Sequence, residues 1–273
     1  MMESKFKFNF LNIDNVNSDD KRDEHSALKR PVLFTLDTVP MMDGMEFEDV
    51  QLMDDLSLQR RKCTDLMTSN STLSSSKSDI IPKEYEGGLK TWECSLDLIR
   101  YLHHSFPSPC TSLNILELGC GSALPSIYLM RERGASRSTF QDYNEFVLRT
   151  VTIPNIVCSI GEMPELTNLT FIHGDWHAIS CDNVLKGPFD LILSSETIYH
   201  PSSYSSLCQI IHDNFVRDGV ALIAAKEYYF GNTLGGCMAG FEDVAMSFGL
   251  DCERVWQSCD NGLNRIILEI QSR

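Results

Sequence analysis

A chain of 273 residues with an apolar fraction of 42% can bury the core of one ordinary domain with chain to spare, or of two small ones. Its 23 basic against 38 acidic residues give a net charge of −15, which argues against a general phosphate-binding surface and for basic partners. The ten cysteines form no Cys-x-x-Cys pair, and no apolar run is long enough to span a bilayer. Reduced, intracellular thiols are expected, with no membrane and no nucleic-acid partner.

Residues 1–80 are expected to form a mostly disordered acidic arm. A brief apolar run at Phe6 to Leu11 gives way to Asn, Asp, Ser and Glu, and 69–78 is low in complexity. Within the arm, Pro31-Val32-Leu33-Phe34 is short enough only to dock on something. The clusters Lys29-Arg30-Pro31 and Arg60-Arg61-Lys62 are of the kind that can act as import signals. The folded domain is expected over 81–273.

Glycines Gly87 and Gly88 and the aromatic Trp92 precede a helical stretch over 95–104 whose buried side is Leu96, Leu98, Ile99 and Leu102. A Gly-Gly hinge there can fold over a ligand, or the segment can simply cap the helix with Trp92 at the core edge. Next, the apolar run 114–118 ends in Gly119-Cys120-Gly121, and helical spacing starts at once after it. This is strand, tight turn, helix. Backbone without Cβ atoms, ahead of a helix N-terminus with unpaired N–H groups, suits a nucleotide-like ligand. The third glycine of a dinucleotide fingerprint would fall at Leu124, so that fingerprint is incomplete.

A second strand ends at Asp142, whose carboxylate can accept both hydroxyls of a ribose. Residues 145–153 read as a helix that Pro154 ends. A third strand over 169–173 finishes at Gly174-Asp175-Trp176, where an aspartate can accept from an adenine amino group and an aromatic can cover the base. His173 and His177 have metal-ligand spacing only on a helix, and Gly174-Asp175 between them argues for a strand end, so no metal is expected. A short buried strand over 189–193 leads into Ser194-Ser195-Glu196-Thr197-Ile198-Tyr199. A fifth strand over 220–225, a helix over 237–248 and two strands flanking Asn261-Gly262 follow, the last pair as a hairpin. The fold class is therefore α/β: a doubly wound, mostly parallel seven-stranded Rossmann-like sheet closed by an antiparallel hairpin.

Glu117-x-Gly119-x-Gly121 resembles motif I of the class I, seven-strand S-adenosylmethionine-dependent methyltransferases. Taken with Tyr85-Glu86-Gly87-Gly88-Leu89-Lys90-x-Trp92-Glu93-Cys94, Gly174-Asp175-Trp176 and Ser195-Glu196-Thr197-Ile198-Tyr199, the chain from Pro82 onward resembles the eukaryotic histidine protein methyltransferases, which modify a histidine of ribosomal protein L three. Lysine-modifying relatives carry aspartate where this chain has Glu196, while Asn232-Thr233-Leu234 departs from the family pattern. The resemblance implies S-adenosylmethionine as cofactor, with Thr91, Trp92, Glu93, Cys94, Ser95, Glu117, Gly119 and Gly121 around its methionine end. Gln141, Asp142 and Tyr143 would hold the ribose, Gly174, Asp175 and Trp176 the adenine, and Ser194 would line the wall. Glu196 and Tyr199 would face the incoming residue as the catalytic pair.

It further implies a monomer acting on a basic protein substrate in cytoplasm and nucleus. An imidazole of pKa about 6.5 already offers a lone pair, whereas a lysine amine of about 10.4 must first lose a proton. The alternatives are a lysine-directed enzyme of the same fold and a non-catalytic module that docks on a ribosomal or chaperone partner.

Overall fold

The computed structural model describes residues 29–36, 42–69, 79–81, 83–106, 109–161, 167–230, 235–260 and 262–273. The apolar start at Phe6 to Leu11, the low-complexity run over 70–78 and Asn232-Thr233-Leu234 lie outside them. In chain order come β1 (Val32–Phe34), β2 (Phe47–Met53), β3 (Leu56–Arg61), α1 (Thr64–Ser69), α2 (Glu93–Ser105), β4 (Asn114–Leu118) and α3 (Leu124–Arg133). After β5 (Arg137–Asp142), α4 (Glu145–Val147) passes through a π-helical turn (Leu148–Thr152) into α5 (Ile153–Ile160). The chain then forms β6 (Leu169–His173), α6 (Trp176–Asp182), β7 (Phe189–Ser195), α7 (Tyr204–Asn214), β8 (Phe215–Lys226), α8 (Met238–Ser247), β9 (Leu250–Asp260) and β10 (Leu263–Ser272).

One sheet has the order β1-β6-β5-β4-β7-β8-β10-β9. The five strands from β6 to β8 are parallel, while β10 and β9 run antiparallel at the far end, as expected for the closing hairpin. Strands β4 and β7 are rich in apolar residues because they lie at the centre of the sheet. Ile115, Leu116, Leu118, Leu191, Ile192 and Leu193 are all fully buried. From β4 the chain winds outward through β5 and β6, then returns to β7 on the other side. That reversal makes the C-terminal end of β4 the switch point where open α/β sheets bind ligands.

Two expectations need correction. The arm does not end at residue 80, because β1 pairs antiparallel with β6 as an eighth strand and β2 pairs with β3 as a separate hairpin. Leu52, Leu56 and Leu58 from that hairpin join the same buried cluster as Leu98, Ile99 and Ile127. Arg60-Arg61-Lys62 is likewise part of the fold: Arg61 is buried, and its Nη2 meets Asp65 at 2.8 Å.

Pro154, secondly, does not end its helix. It follows directly on the π-helical turn inside a continuous helical run, in which α5 carries on to Ile160. The carbonyl four residues back, at Thr150, cannot receive a bond from Pro154 and instead accepts Arg61 Nη1 at 2.6 Å. Asn155 in turn accepts from Arg61 N at 2.7 Å and donates to Ser122 O at 2.9 Å, tying the hairpin to the glycine turn.

Leu58 is fully buried, so Leu58→Ala should cost about 2 to 5 kcal/mol of unfolding free energy. Urea denaturation checks this, and a loss below about 0.5 kcal/mol would place the hairpin outside the cooperative unit.

Candidate functional site

The turn after β4 needs glycine for its backbone conformation, with φ of +61° at Gly119 and +47° at Gly121. A Cβ on Gly119 would also lie 2.6 Å from Thr197 Cγ2. Glu117, at the end of β4, is buried and accepts the Ser126 N–H at 3.0 Å. It thereby serves the N-terminus of α3, which the Ala123 side chain cannot cap. Burial pushes its carboxyl up to about 7 from an ordinary 4.5, the Ser126 bond opposing the shift.

A carboxyl raised on folding binds more protons in the native than in the unfolded state between those two values. The stability of the cofactor-free protein should therefore fall as pH rises from about 4.5 to about 7 and then level off. Asp142 adds the same sign from its ordinary 3.8 to about 6, so Glu117→Gln should flatten chiefly the upper part of that slope. Urea midpoints taken across this range test it, and an unchanged upper slope in Glu117→Gln would reassign the titration.

The residues expected around a ribose separate into two kinds. Asp142 is buried, with Oδ2 accepting the Gly121 N–H at 3.0 Å and Oδ1 accepting the Asn144 N–H at 2.9 Å. Each oxygen keeps acceptor capacity, so the carboxylate suits the two donors of a vicinal diol. Gln141, by contrast, is engaged inside the protein. Its Oε1 accepts from Trp176 Nε1 at 2.6 Å and Gly119 N at 3.2 Å, and its Nε2 donates to Gly174 O at 3.0 Å. The Tyr143 hydroxyl donates to Lys83 O at 2.8 Å. Gln141 and Tyr143 thus hold the walls, and Asp142 faces the turn.

On the adenine side, Asp175 Oδ1 accepts the His177 N–H at 2.8 Å and so caps α6, while its own N–H donates to Lys29 O at 3.1 Å. A Cβ on Gly174, whose φ is +142°, would lie 2.8 Å from Pro31 Cα. The segment leading into β1 therefore packs on this corner, and half-buried Trp176 lies close to Gly119. His173 meets Glu145 Oε2 at 3.5 Å, whereas His177 is exposed in the first turn of α6 near Cys181.

The glycine hinge lies directly over the turn. A Cβ on Gly121 would be 3.5 Å from Gly88 Cα, and one on Gly88 would be 3.3 Å from Asp142 Oδ2. Asn144 anchors the hinge by accepting from Glu86 N at 3.1 Å and donating to Glu84 O at 2.8 Å. Thr91 Oγ1 meets Ser122 Oγ at 3.1 Å, and Trp92 Nε1 donates to Gly87 O at 3.2 Å. Cys94 and Ser95 are buried in the first turn of α2, but Glu93 is exposed there. Ser194 bridges strands, with Oγ donating to Leu118 O at 2.9 Å and meeting Thr197 Oγ1 at 2.7 Å.

Beside the turn opens a cavity of about 230 Å³ whose lining includes Glu86, Trp92, Glu196, Tyr199, Lys226 and Tyr229. Glu196 is 7% exposed and has φ of +56°, a region that costs an L side chain about 1 to 2 kcal/mol. Its Oε2 accepts the Tyr229 hydroxyl at 2.7 Å. Its Oε1 lies 3.3 Å from Lys226 Nζ and takes no hydrogen bond from the described residues. The Tyr199 hydroxyl donates to Glu86 Oε2. Burial, reinforced by the adjacent carboxylate, holds both Tyr199 and Tyr229 hydroxyls far above the usual phenol range.

Glu86, Lys226 and Tyr229 were not singled out as site residues from the sequence. Lys226 ends β8, the parallel strand next to β7, so the strand-end rule that marked Glu196 also marks it.

Comparison with known proteins bears on what this arrangement does. A family model described as lysine methyltransferase matches residues 68–232. The histidine protein methyltransferase 1 homolog of Mus musculus is 33% identical over 254 residues, covering 84% of this chain and 68% of that protein. The homolog of Dictyostelium discoideum is 36% identical over 200 residues, covering 72% of this chain and 62% of that protein. The chain thus spans about two thirds of the length of these relatives. A solved Galdieria sulphuraria structure described as a sarcosine dimethylglycine methyltransferase superposes with a TM-score of 0.51 at 14% identity, over 65% of this chain and 85% of that one, a likeness of fold alone.

Proposed function

The chain belongs to the family of the S-adenosylmethionine-dependent histidine protein methyltransferases, and from that premise we propose that its acceptor is a histidine of a basic protein, with ribosomal protein L three as the expected one. The observation that carries the reading is Glu196 Oε1: a buried carboxylate oxygen in an aromatic-walled cavity that pairs with Lys226 Nζ at 3.3 Å but takes no hydrogen bond from the described residues, and so keeps acceptor capacity. A neutral imidazole presents one ring nitrogen as lone pair and the other as N–H, and that N–H matches the oxygen. The charge of −15 favours association with a basic protein.

When bound, S-adenosylmethionine supplies an already activated methyl carbon, so the protein's work is positioning, desolvation and charge. Asp142 would hold the ribose hydroxyls, and the glycine turn would let backbone approach the ligand closely. Glu196 accepts the imidazole N–H, which fixes the tautomer and aims the other nitrogen, and its charge then stabilises the imidazolium as it forms. Tyr229 holds the second oxygen of Glu196, and Tyr199, bonded to Glu86 and edge-on to the Tyr229 ring, lines the same cavity.

The test is incubation with recombinant ribosomal protein L three and radiolabelled cofactor, followed by mass mapping. Label on a histidine is expected. Label on lysine would move the chain to the acceptor named by the family model, and no label on any protein of a cell lysate would favour a non-catalytic docking module.

A further inference from the structure

A pocket built to admit a lysine ammonium needs aromatic faces and a carboxylate free to receive it. Here the chain's own ammonium already stands against both. Lys226 Nζ lies 3.3 Å from Glu196 Oε1, 5.2 Å from the centre of the Trp92 ring and 5.7 Å from that of Tyr229. Lys90 Nζ, paired with Asp79, sits 4.4 Å from the same Trp92 ring. The Lys226 and Glu196 side chains are 20% and 4% exposed, so solvent screens this pair little.

We propose that Lys226 is the specificity-determining residue of the acceptor pocket: its ammonium fills the cation cage of Trp92, Tyr229 and Glu196, so the pocket rejects a lysine and admits a neutral imidazole. This rests on the histidine reading above. The physical basis is a count of charge. An imidazole enters neutral and becomes a cation only as the methyl donor loses its positive charge, so the total charge of the site is the same before and after transfer. A lysine arrives as an ammonium, raising that total by one next to Lys226, at a separation and dielectric where like charges repel strongly.

Two measurements test it. The first uses small probes and requires no turnover: binding of 4-methylimidazole and of n-butylammonium, followed by NMR shifts of the pocket aromatics. Wild type should bind the imidazole and not the ammonium, while Lys226→Met should gain ammonium binding by about tenfold or more. Lys226→Arg keeps the charge and should keep the rejection. Equal binding of the two probes by wild type overturns the proposal even if Lys226→Met fails to fold. So does a folded Lys226→Met that still refuses the ammonium.

The second measurement is single-turnover labelling of ribosomal protein L three and of a form carrying lysine at the labelled position. Histidine labelling by wild type with new lysine labelling by Lys226→Met supports the assignment. Histidine labelling by wild type without that gain overturns the role of Lys226 and leaves the histidine reading standing. Lysine labelling by wild type overturns both.

Discussion

Asp142→Ala should abolish measurable S-adenosylmethionine binding and lower the unfolding free energy by about 1 to 3 kcal/mol, because the carboxylate serves two masters. Toward the ligand it offers acceptors for a ribose diol; toward the protein it accepts the N–H groups of Gly121 and Asn144. Alanine leaves both buried donors unpaired. Part of that cost is offset, since a buried carboxyl already raised to about 6 carries a desolvation penalty at neutral pH that the variant loses. Asp142→Asn, which keeps one acceptor oxygen, should fall between the two in both readouts. Calorimetry with the cofactor and urea denaturation on the same preparations make the check. A folded Asp142→Ala with unchanged affinity would remove Asp142 from the site.

Glu196→Gln should retain cofactor affinity while its single-turnover rate on a histidine acceptor drops by about 100-fold, the scale seen when one preorganised electrostatic contact to a transition state is removed. The amide can still accept from Tyr229, so the backbone at φ +56° and the packing around it keep their support. What disappears is the negative charge that faces Lys226 and would face the forming imidazolium. Raising the pH should restore little, because the deficit lies in charge stabilisation and not in deprotonation of the acceptor. A mutant rate equal to wild type on histidine would sink the assignment of Glu196.

Some of this was readable along the chain because its causes are local. An apolar run ending at Gly119-Cys120-Gly121 ahead of helical spacing has few other conformations open to it, and β4, the turn and α3 stand where the pattern puts them. The same holds for β5 ending in Asp142, for β6 ahead of Gly174 and for the closing hairpin, where period-two segments flank a turn. Strand ends in a doubly wound sheet then converge, so Asp142, Asp175 and Glu196 were legible as a group before any contact was known.

What the sequence by itself could not determine depends on partners far along the chain. Strands β2 and β3 read as part of a polar arm because Glu48, Asp49, Gln51, Ser57, Gln59 and Arg60 interrupt their apolar side chains; only packing against α2, α3 and α5 buries Leu52, Leu56 and Leu58. Pro154 reads as a stop, yet a π-helical turn and a guanidinium from β3 accommodate it. The resemblance implies Gln141 at the ribose, and the engagement of its amide by Gly119, Trp176 and Gly174 could not be read from the chain. Glu86 and Tyr199 are 113 residues apart, and Lys226 reaches Glu196 only because β8 lies beside β7. Periodicity and turn chemistry act over a few residues and so fix strands, turns and helices one at a time. The charge, the acceptor oxygens and the shape of the pocket arise from side chains that the sheet order alone brings within a few ångströms.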